Sequence, residues 1–161
     1  MKKIVLFLSF AIATLAVNAQ TKVTKTSIAG KWALAAMNVD GMLYYDMEKD
    51  SLSLGQAILS QLAAAGQDSA GAVEMMKGQF ESLKETAFTF SDDGSYSVEG
   101  LPQGAEKGTY TVDEATGTIS MTGGKGTKKE IKATFKNNRL IFPIPAEGQS
   151  PATTMELKKA K

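Results

Sequence analysis

Residues 88–98 read FTFSDDGSYSV, two short segments in which aromatic or apolar residues alternate with Thr or Ser on either side of a turn. A period of two is typical of a β-strand that buries one face. Gly94 tolerates the positive φ of a tight turn, so the Asp92-Asp93-Gly94 sequence predicts a β-hairpin.

The same alternation continues downstream to Lys158 and occurs upstream at residues 28–37, which gives eight predicted strands. Short strands joined by tight turns indicate an antiparallel meander, and closing it into a barrel removes exposed sheet edges. The chain is therefore predicted to be mainly β, an eight-stranded antiparallel up-and-down barrel. The side chains expected to face inward are Trp32, Leu34, Phe88, Phe90, Tyr96, Val98, Tyr110, Val112, Ile119, Met121, Ile131, Phe135, Leu140, Phe142, Met155 and Leu157.

A two-helix insertion is predicted between the first and second strands, over about residues 51–85, after a loop at residues 38–50. Asp50 or Ser51 is expected to cap the first helix. In the second helix Val73, Met76 and Phe80 recur at steps of three and four and share one face. Two interpretations remain open, a mobile lid over the barrel and a fixed cover of its core.

The N-terminus has the pattern of a secretory signal peptide. Lys2 and Lys3 precede an apolar run at residues 4–13, and the small residues of Val17-Asn18-Ala19 suit cleavage after Ala19. The apolar run is shorter than the roughly 20 residues that span a bilayer, so no membrane anchor is expected after cleavage. The prediction is an exported bacterial protein, periplasmic or secreted, with a signal peptide at 1–19, an N-terminal tail at 20–26 and one β-barrel domain at 27–161.

The composition argues against several classes of function. With no Cys, the chain has neither a disulfide nor a lipid-bearing cysteine at its cleavage point, and core packing must hold the fold together. The chain has 18 basic and 17 acidic residues, and removing Lys2 and Lys3 leaves 16 against 17. This balance gives no electrostatic reason to expect nucleic acid as a partner.

No catalytic, metal or cofactor site is expected from the sequence. Without His and Cys, the chain cannot form Ser–His or Cys–His nucleophile pairs, and zinc binding is not expected. The Gly-rich residues 123–127 lack the GK[ST] order of a phosphate loop and are interpreted as a turn.

Gly30-Lys31-Trp32 in the first strand, followed by the eight-strand meander, resembles the lipocalins, whose first strand carries a G-x-W motif. The resemblance is greatest to the short lipocalin-like domains of exported bacterial proteins. It implies that Gly30 and Trp32 close one end of the barrel and that a late-strand arginine packs across the Trp32 ring. Arg139, the single arginine of the chain, is the residue expected there.

The resemblance and the inward aromatic residues together lead to a functional hypothesis, an exported binding module that holds a small apolar molecule. The expected ligand contacts are Phe88, Phe90, Tyr96 and Tyr110 in the barrel wall and Met76 and Phe80 in the helical cover. The alternative is a barrel filled by its own side chains, a structural or protein-interaction module without a small-molecule ligand.

Overall fold

The structure, a computed structural model, describes residues 22–102, 104–124, 126–148 and 150–160. The predicted signal peptide lies outside these residues. The helices are α1 (Lys25–Ile28), α2 (Gln56–Ala64), α3 (Ser69–Phe80) and a 3-10 helix (Glu81–Glu85). The strands are β1 (Gly30–Val39), β2 (Leu43–Asp46), β3 (Ser51–Leu54), β4 (Ala87–Phe90), β5 (Ser95–Glu99), β6 (Glu106–Asp113), β7 (Thr118–Gly123), β8 (Lys128–Lys132), β9 (Thr134–Lys136), β10 (Arg139–Ile144) and β11 (Thr153–Lys159).

The strands form one antiparallel sheet in the order β8-β7-β6-β5-β4-β1-β11-β10-β9. Only Ala133 separates β8 from β9, so the chain itself joins the two ends of this order and the sheet is nearly closed into a barrel. The predicted fold class, a mainly β antiparallel barrel, is confirmed. Hairpin connections between successive strands account for the up-and-down order.

The described residues contain eleven strands instead of the predicted eight. The sequence pattern treated β8 and β9 as one strand, but the strand changes partner at Ala133, from β7 to β10. The pattern also missed the hairpin of β2 and β3, where a loop and the start of a helix were expected. In that hairpin Tyr45 pairs with Leu52, and burial of both side chains stabilises strands that are only four residues long.

β1 organises the barrel because it pairs along its length with β11 and has two successive partners on its other side. Residues 30–33 pair with β4, and residues 36–39 pair with β2. The register with β11 shifts between Leu34 and Ala36, where the strand is irregular. The β2–β3 hairpin therefore lies beside the second half of β1, and β4 lies beside the first half.

The helical insertion is confirmed, but its first helix begins at Gln56 instead of residue 51. The residue before it, Gly55, makes no side-chain cap, so the predicted capping by Asp50 or Ser51 is wrong. Asp68 caps α3, and its carboxylate accepts hydrogen bonds from the amides of Ala70 and Gly71. No residue of α2 or α3 is fully buried, so the helices lie on the barrel and outside its core.

The inward-facing residues predicted from the alternation form the core. They are all buried except Val112, Phe135 and Met155, which are partly buried and pack against it. Val23, in the segment predicted to be a tail, is also buried in the core. The packed domain therefore begins before residue 27.

Candidate functional site

The four aromatic residues predicted to contact a ligand lie side by side on the inner face of the barrel. Phe90 pairs with Tyr96 across β4 and β5, Phe88 lies two residues before Phe90 on the same face, and Tyr110 is on β6. Each of the four is 7% exposed or less. These four aromatics are therefore largely packed against protein atoms.

Three rings of this group, those of Phe88, Phe90 and Tyr110, make edge-on contacts with one another or with Phe142 of β10. The centroids of Phe90 and Tyr110 are 5.1 Å apart at an interplanar angle of 78°. Phe142 lies 6.0 Å from Phe88 and 6.1 Å from Phe90. These are favourable aromatic geometries, and they show that the middle of the barrel is filled by side chains.

The two tyrosine hydroxyls of this group already have hydrogen-bond partners. The Tyr110 hydroxyl donates to the Ser91 carbonyl at 2.9 Å. The Tyr96 hydroxyl donates to the Glu106 carboxylate at 2.6 Å, and burial together with this carboxylate raises the pKa of Tyr96. Glu106 is the first residue of β6. Its register opposite Val98 places it on the inner face at the end of β6.

The two remaining predicted contacts, Met76 and Phe80, lie on the helical cover. Both are partly buried and pack against the core cluster. The ring of Phe80 lies 6.1 Å from that of Tyr45 in β2. The structure thus separates the six predicted ligand residues into a deep, packed group of four in the barrel and a shallower pair on α3.

Asp50 connects this cover to the β2–β3 hairpin. Its carboxylate accepts hydrogen bonds from the Tyr45 hydroxyl at 2.9 Å, from Lys84 at 2.9 Å and from Lys77 at 3.3 Å. These donors lower the pKa of Asp50 to about 2, with the Lys84 contact as the largest cause. Nothing in the local sequence links Asp50 to lysines 27 and 34 residues away.

The opposite end of the barrel is closed around Trp32. Its indole N–H donates to the Ile28 carbonyl at 2.7 Å, and its ring lies 6.0 Å from that of Phe135. Gly30 has a φ of +113°, a conformation that side-chain-bearing residues rarely adopt. A Cβ at Gly30 would also come within 3.3 Å of Lys159.

The cation that packs across Trp32 is Lys159, so the expected role of Arg139 is wrong. The Lys159 ammonium lies 5.5 Å from the Trp32 ring centroid. In the β10–β11 ladder Arg139 pairs with Lys158, while Lys159 pairs with Trp32. Because neighbouring residues of a strand point to opposite faces, Arg139 is directed away from the indole.

Arg139 instead joins a charged cluster on the outer face. Its guanidinium donates to Glu156 at 2.7 Å and to Glu48 at 2.5 Å, and Lys158 also binds Glu48. The flanking carboxylates raise the pKa of Arg139, Glu156 most strongly. A surface concavity of about 440 Å³ adjoins this cluster, lined by Glu48, Asn137, Asn138, Arg139, Lys158 and Lys159.

The described residues do not bring a set of metal-ligating side chains together. No group of three or more Asp and Glu side chains gathers there at a spacing that could hold a metal ion. In the same part of the chain, no helix combines the length and apolar character needed to cross a membrane.

The barrel geometry agrees with the comparison to protein families. The model of the lipocalin-like domain matches residues 28–142 of the chain.

The chain belongs to the lipocalin-like domain family.

Among solved structures, this lipocalin-like domain is similar to a DUF4847 family protein from Bacteroides vulgatus. The two chains are 15% identical, with a TM-score of 0.48, and the match covers 83% of this chain and 94% of that one. No curated protein matches the chain.

Proposed function

We propose that this protein is an exported lipocalin-like binding module that holds a small apolar molecule at the mouth of its barrel, beneath α3. The observation that carries the proposal is the way α3 packs. It covers the core with partly buried apolar side chains, Val73, Met76 and Phe80 among them, and buries none of them fully. A cover packed in this way leaves an apolar face that a ligand can occupy with little rearrangement.

Two properties of α3 support a removable cover. Lys77 of α3 and Lys84 of the following 3-10 helix attach this cover to Asp50, whose side chain is 55% exposed, and ion pairs with an exposed partner contribute little to stability. Met76 is flexible and adapts to partners of irregular shape. A ligand that displaces α3 slightly would therefore exchange one set of apolar contacts for another.

The filled middle of the barrel limits where the ligand binds. Phe90 contacts Tyr110 and Phe142, and Phe88 contacts Phe142, so a molecule bound deep in the barrel would have to separate these rings. Met76 and Phe80 then become the primary contacts, and the deep aromatics form the floor of the site. The proposal includes no catalytic role, because the chain has neither His nor Cys.

The same packing favours a second candidate function, a barrel without a small-molecule ligand that acts through its surface. The specific observation is that the inner aromatic side chains are 7% exposed or less. Such a protein would fold cooperatively and bind no apolar probe.

An environment-sensitive apolar dye, followed by a panel of fatty acids, alcohols and amines of matched chain length, separates the two functions. With purified residues 20–161 we expect saturable dye binding that a member of the panel displaces. Met76→Ala should weaken that binding roughly tenfold, the loss expected for about 1.4 kcal/mol of apolar contact. Met75→Ala is the matched control, because Met75 is the next residue of α3 and is 65% exposed.

The outcomes are distinct. Binding that falls with Met76→Ala and not with Met75→Ala supports the mouth site. No saturable binding by a cooperatively folded protein would reject the ligand hypothesis and leave the surface-acting module. Equal loss in both variants would place the dye elsewhere on α3.

Export is part of the same proposal and has its own test. The full chain, expressed in a Gram-negative bacterium and recovered from the periplasm or medium, is expected to have the mass of a protein that begins at Gln20. An uncleaved chain retained in the cytoplasm would reject export.

A further inference from the structure

One edge of the β2–β3 hairpin is available for pairing. β3 pairs with β2 on one side, and among the described residues no strand pairs with its other side. Ser51 and Ser53 of β3 are exposed, whereas Leu52 is buried against the core. A strand edge of this kind presents free N–H and C=O groups to an incoming strand.

Apart from its short length, β3 lacks the features that normally protect an edge. β8, at one end of the described sheet order, carries Lys128, Lys129, Glu130 and Lys132, charges that discourage edge-to-edge pairing. β3 reads SLSL, without a charge or a proline. The contrast between the two edges indicates that β3 is suited to a partner strand.

The surface beside this edge is also apolar and uncharged. α2 follows β3 after Gly55, and its Ile58, Leu59 and Leu62 are only partly buried and lie outside the set that packs on the core. Met42 is 40% exposed, and its carbonyl accepts a hydrogen bond from the Gly55 amide at 2.6 Å, next to the start of α2. No residue from 51 to 67 is charged.

We propose that this surface, defined as Met42 together with residues 51–65, binds the same surface of a second copy of the chain. β3 pairs with the partner's β3 in antiparallel fashion about a two-fold axis, and the two α2 helices bury their apolar side chains beside the new ladder. This inference does not depend on the proposed ligand.

The chemistry of the surface favours a second copy over a charged partner. An interface about a two-fold axis brings each residue type close to itself, so a charged edge would repel its own copy, whereas an uncharged one does not. The mature chain has 16 basic and 17 acidic residues, and this small net charge adds no long-range repulsion between copies. A strongly charged segment would find no countercharge between residues 51 and 67.

A four-residue ladder and one short helix make a small interface, below the roughly 1,200 Å² of a tight complex, so dimerisation should depend on concentration. Sedimentation velocity of residues 20–161 between about 1 and about 500 µM is expected to show a shift from monomer to dimer. Ser53→Lys, which adds a charge at the edge, should keep the protein monomeric at every concentration. Thr111→Lys is the matched control, since Thr111 is an exposed threonine of β6, a strand paired on both sides.

Leu59→Glu, which places a charge on α2 and not on the ladder, gives an independent test and should also abolish the dimer. Circular dichroism confirms that each variant is folded. A wild-type protein that remains monomeric at the highest concentration would overturn the proposal. A dimer that persists in both Ser53→Lys and Leu59→Glu would also overturn it, because the contact would then lie elsewhere.

Discussion

Lys159 and Arg139 show how a single step along a strand determines what a side chain touches. Both lie at the closed end of the barrel, but the alternation of side chains places Lys159 on the face of Trp32 and Arg139 on the opposite face. The cation–π contact therefore belongs to Lys159, and Arg139 pairs with Glu48 and Glu156. The two cations have separate structural roles.

Replacing each cation in turn tests this assignment. Trp32 is the single tryptophan, so the fluorescence emission of the protein reports on the surroundings of this one ring. Lys159→Ala should shift the Trp32 emission to longer wavelength and lower the free energy of unfolding by about 0.5–1 kcal/mol, as the ring loses its cation and cover. Arg139→Ala should leave the emission unchanged and cost about 1 kcal/mol through its ion pairs. Lys158→Ala, on the outer face, is the control for Lys159→Ala. An emission shift in Arg139→Ala would contradict the assignment.

At the scale of elements, α3 is a weak helix that depends on the barrel beneath it. It contains Gly71 and Gly78, each of which costs about 1 kcal/mol relative to alanine in a helix interior. The packing of its apolar face and the contact of Lys77 with Asp50 hold it in place, and Lys84 of the following 3-10 helix binds the same carboxylate. Asp50 lies in the turn immediately before β3, so its contact with Lys77 joins the β2–β3 hairpin to a helix that is distant in sequence.

The lowered pKa of Asp50 predicts how this attachment responds to acid. Its pKa falls from 3.8 in the unfolded chain to about 2 in the folded protein, so the stabilisation is fully present above about pH 4 and is lost as the pH falls toward about 2. Asp50→Asn should lower the urea midpoint at neutral pH, and the difference from wild type should disappear near pH 2. Glu74→Gln, which removes a partner of Lys77 within α3, is the control. A difference independent of pH would show that Asp50 acts through shape and not through charge.

At the scale of the whole molecule, the barrel is stabilised from inside by aromatic rings and lacks disulfides. Phe142 contacts both Phe88 and Phe90 and is 1% exposed, so it lies at the centre of this packing. The interior of a barrel with this lipocalin-like fold can either be filled by side chains or form a cavity that holds a ligand. The described structure has a filled centre and a partly buried mouth.

Truncation of Phe142 measures how full the barrel is. Phe142→Ala should lower the free energy of unfolding by about 3–5 kcal/mol, the cost of a large cavity in a packed core, and should create a new site for a small aromatic probe. The measurement is chemical denaturation together with probe binding. Phe135→Ala, at a partly buried position near the closed end, should cost less. A loss near 1 kcal/mol for Phe142→Ala would indicate a barrel with free interior space.

The sequence predicts most of the strands from Phe88 onward and the residues of their inward face, because a period of two and a glycine turn are local properties. The sequence also predicts the face of α3 that carries Met76 and Phe80, since helical spacing is a local property. The short strands β2 and β3 are not predicted, because each is stabilised by a buried cross-strand pair that exists only when Tyr45 meets Leu52. The partners of Trp32, Asp50 and Glu106 also depended on the tertiary structure. Their contacts join residues distant along the chain, and strand register determines which side chains face one another.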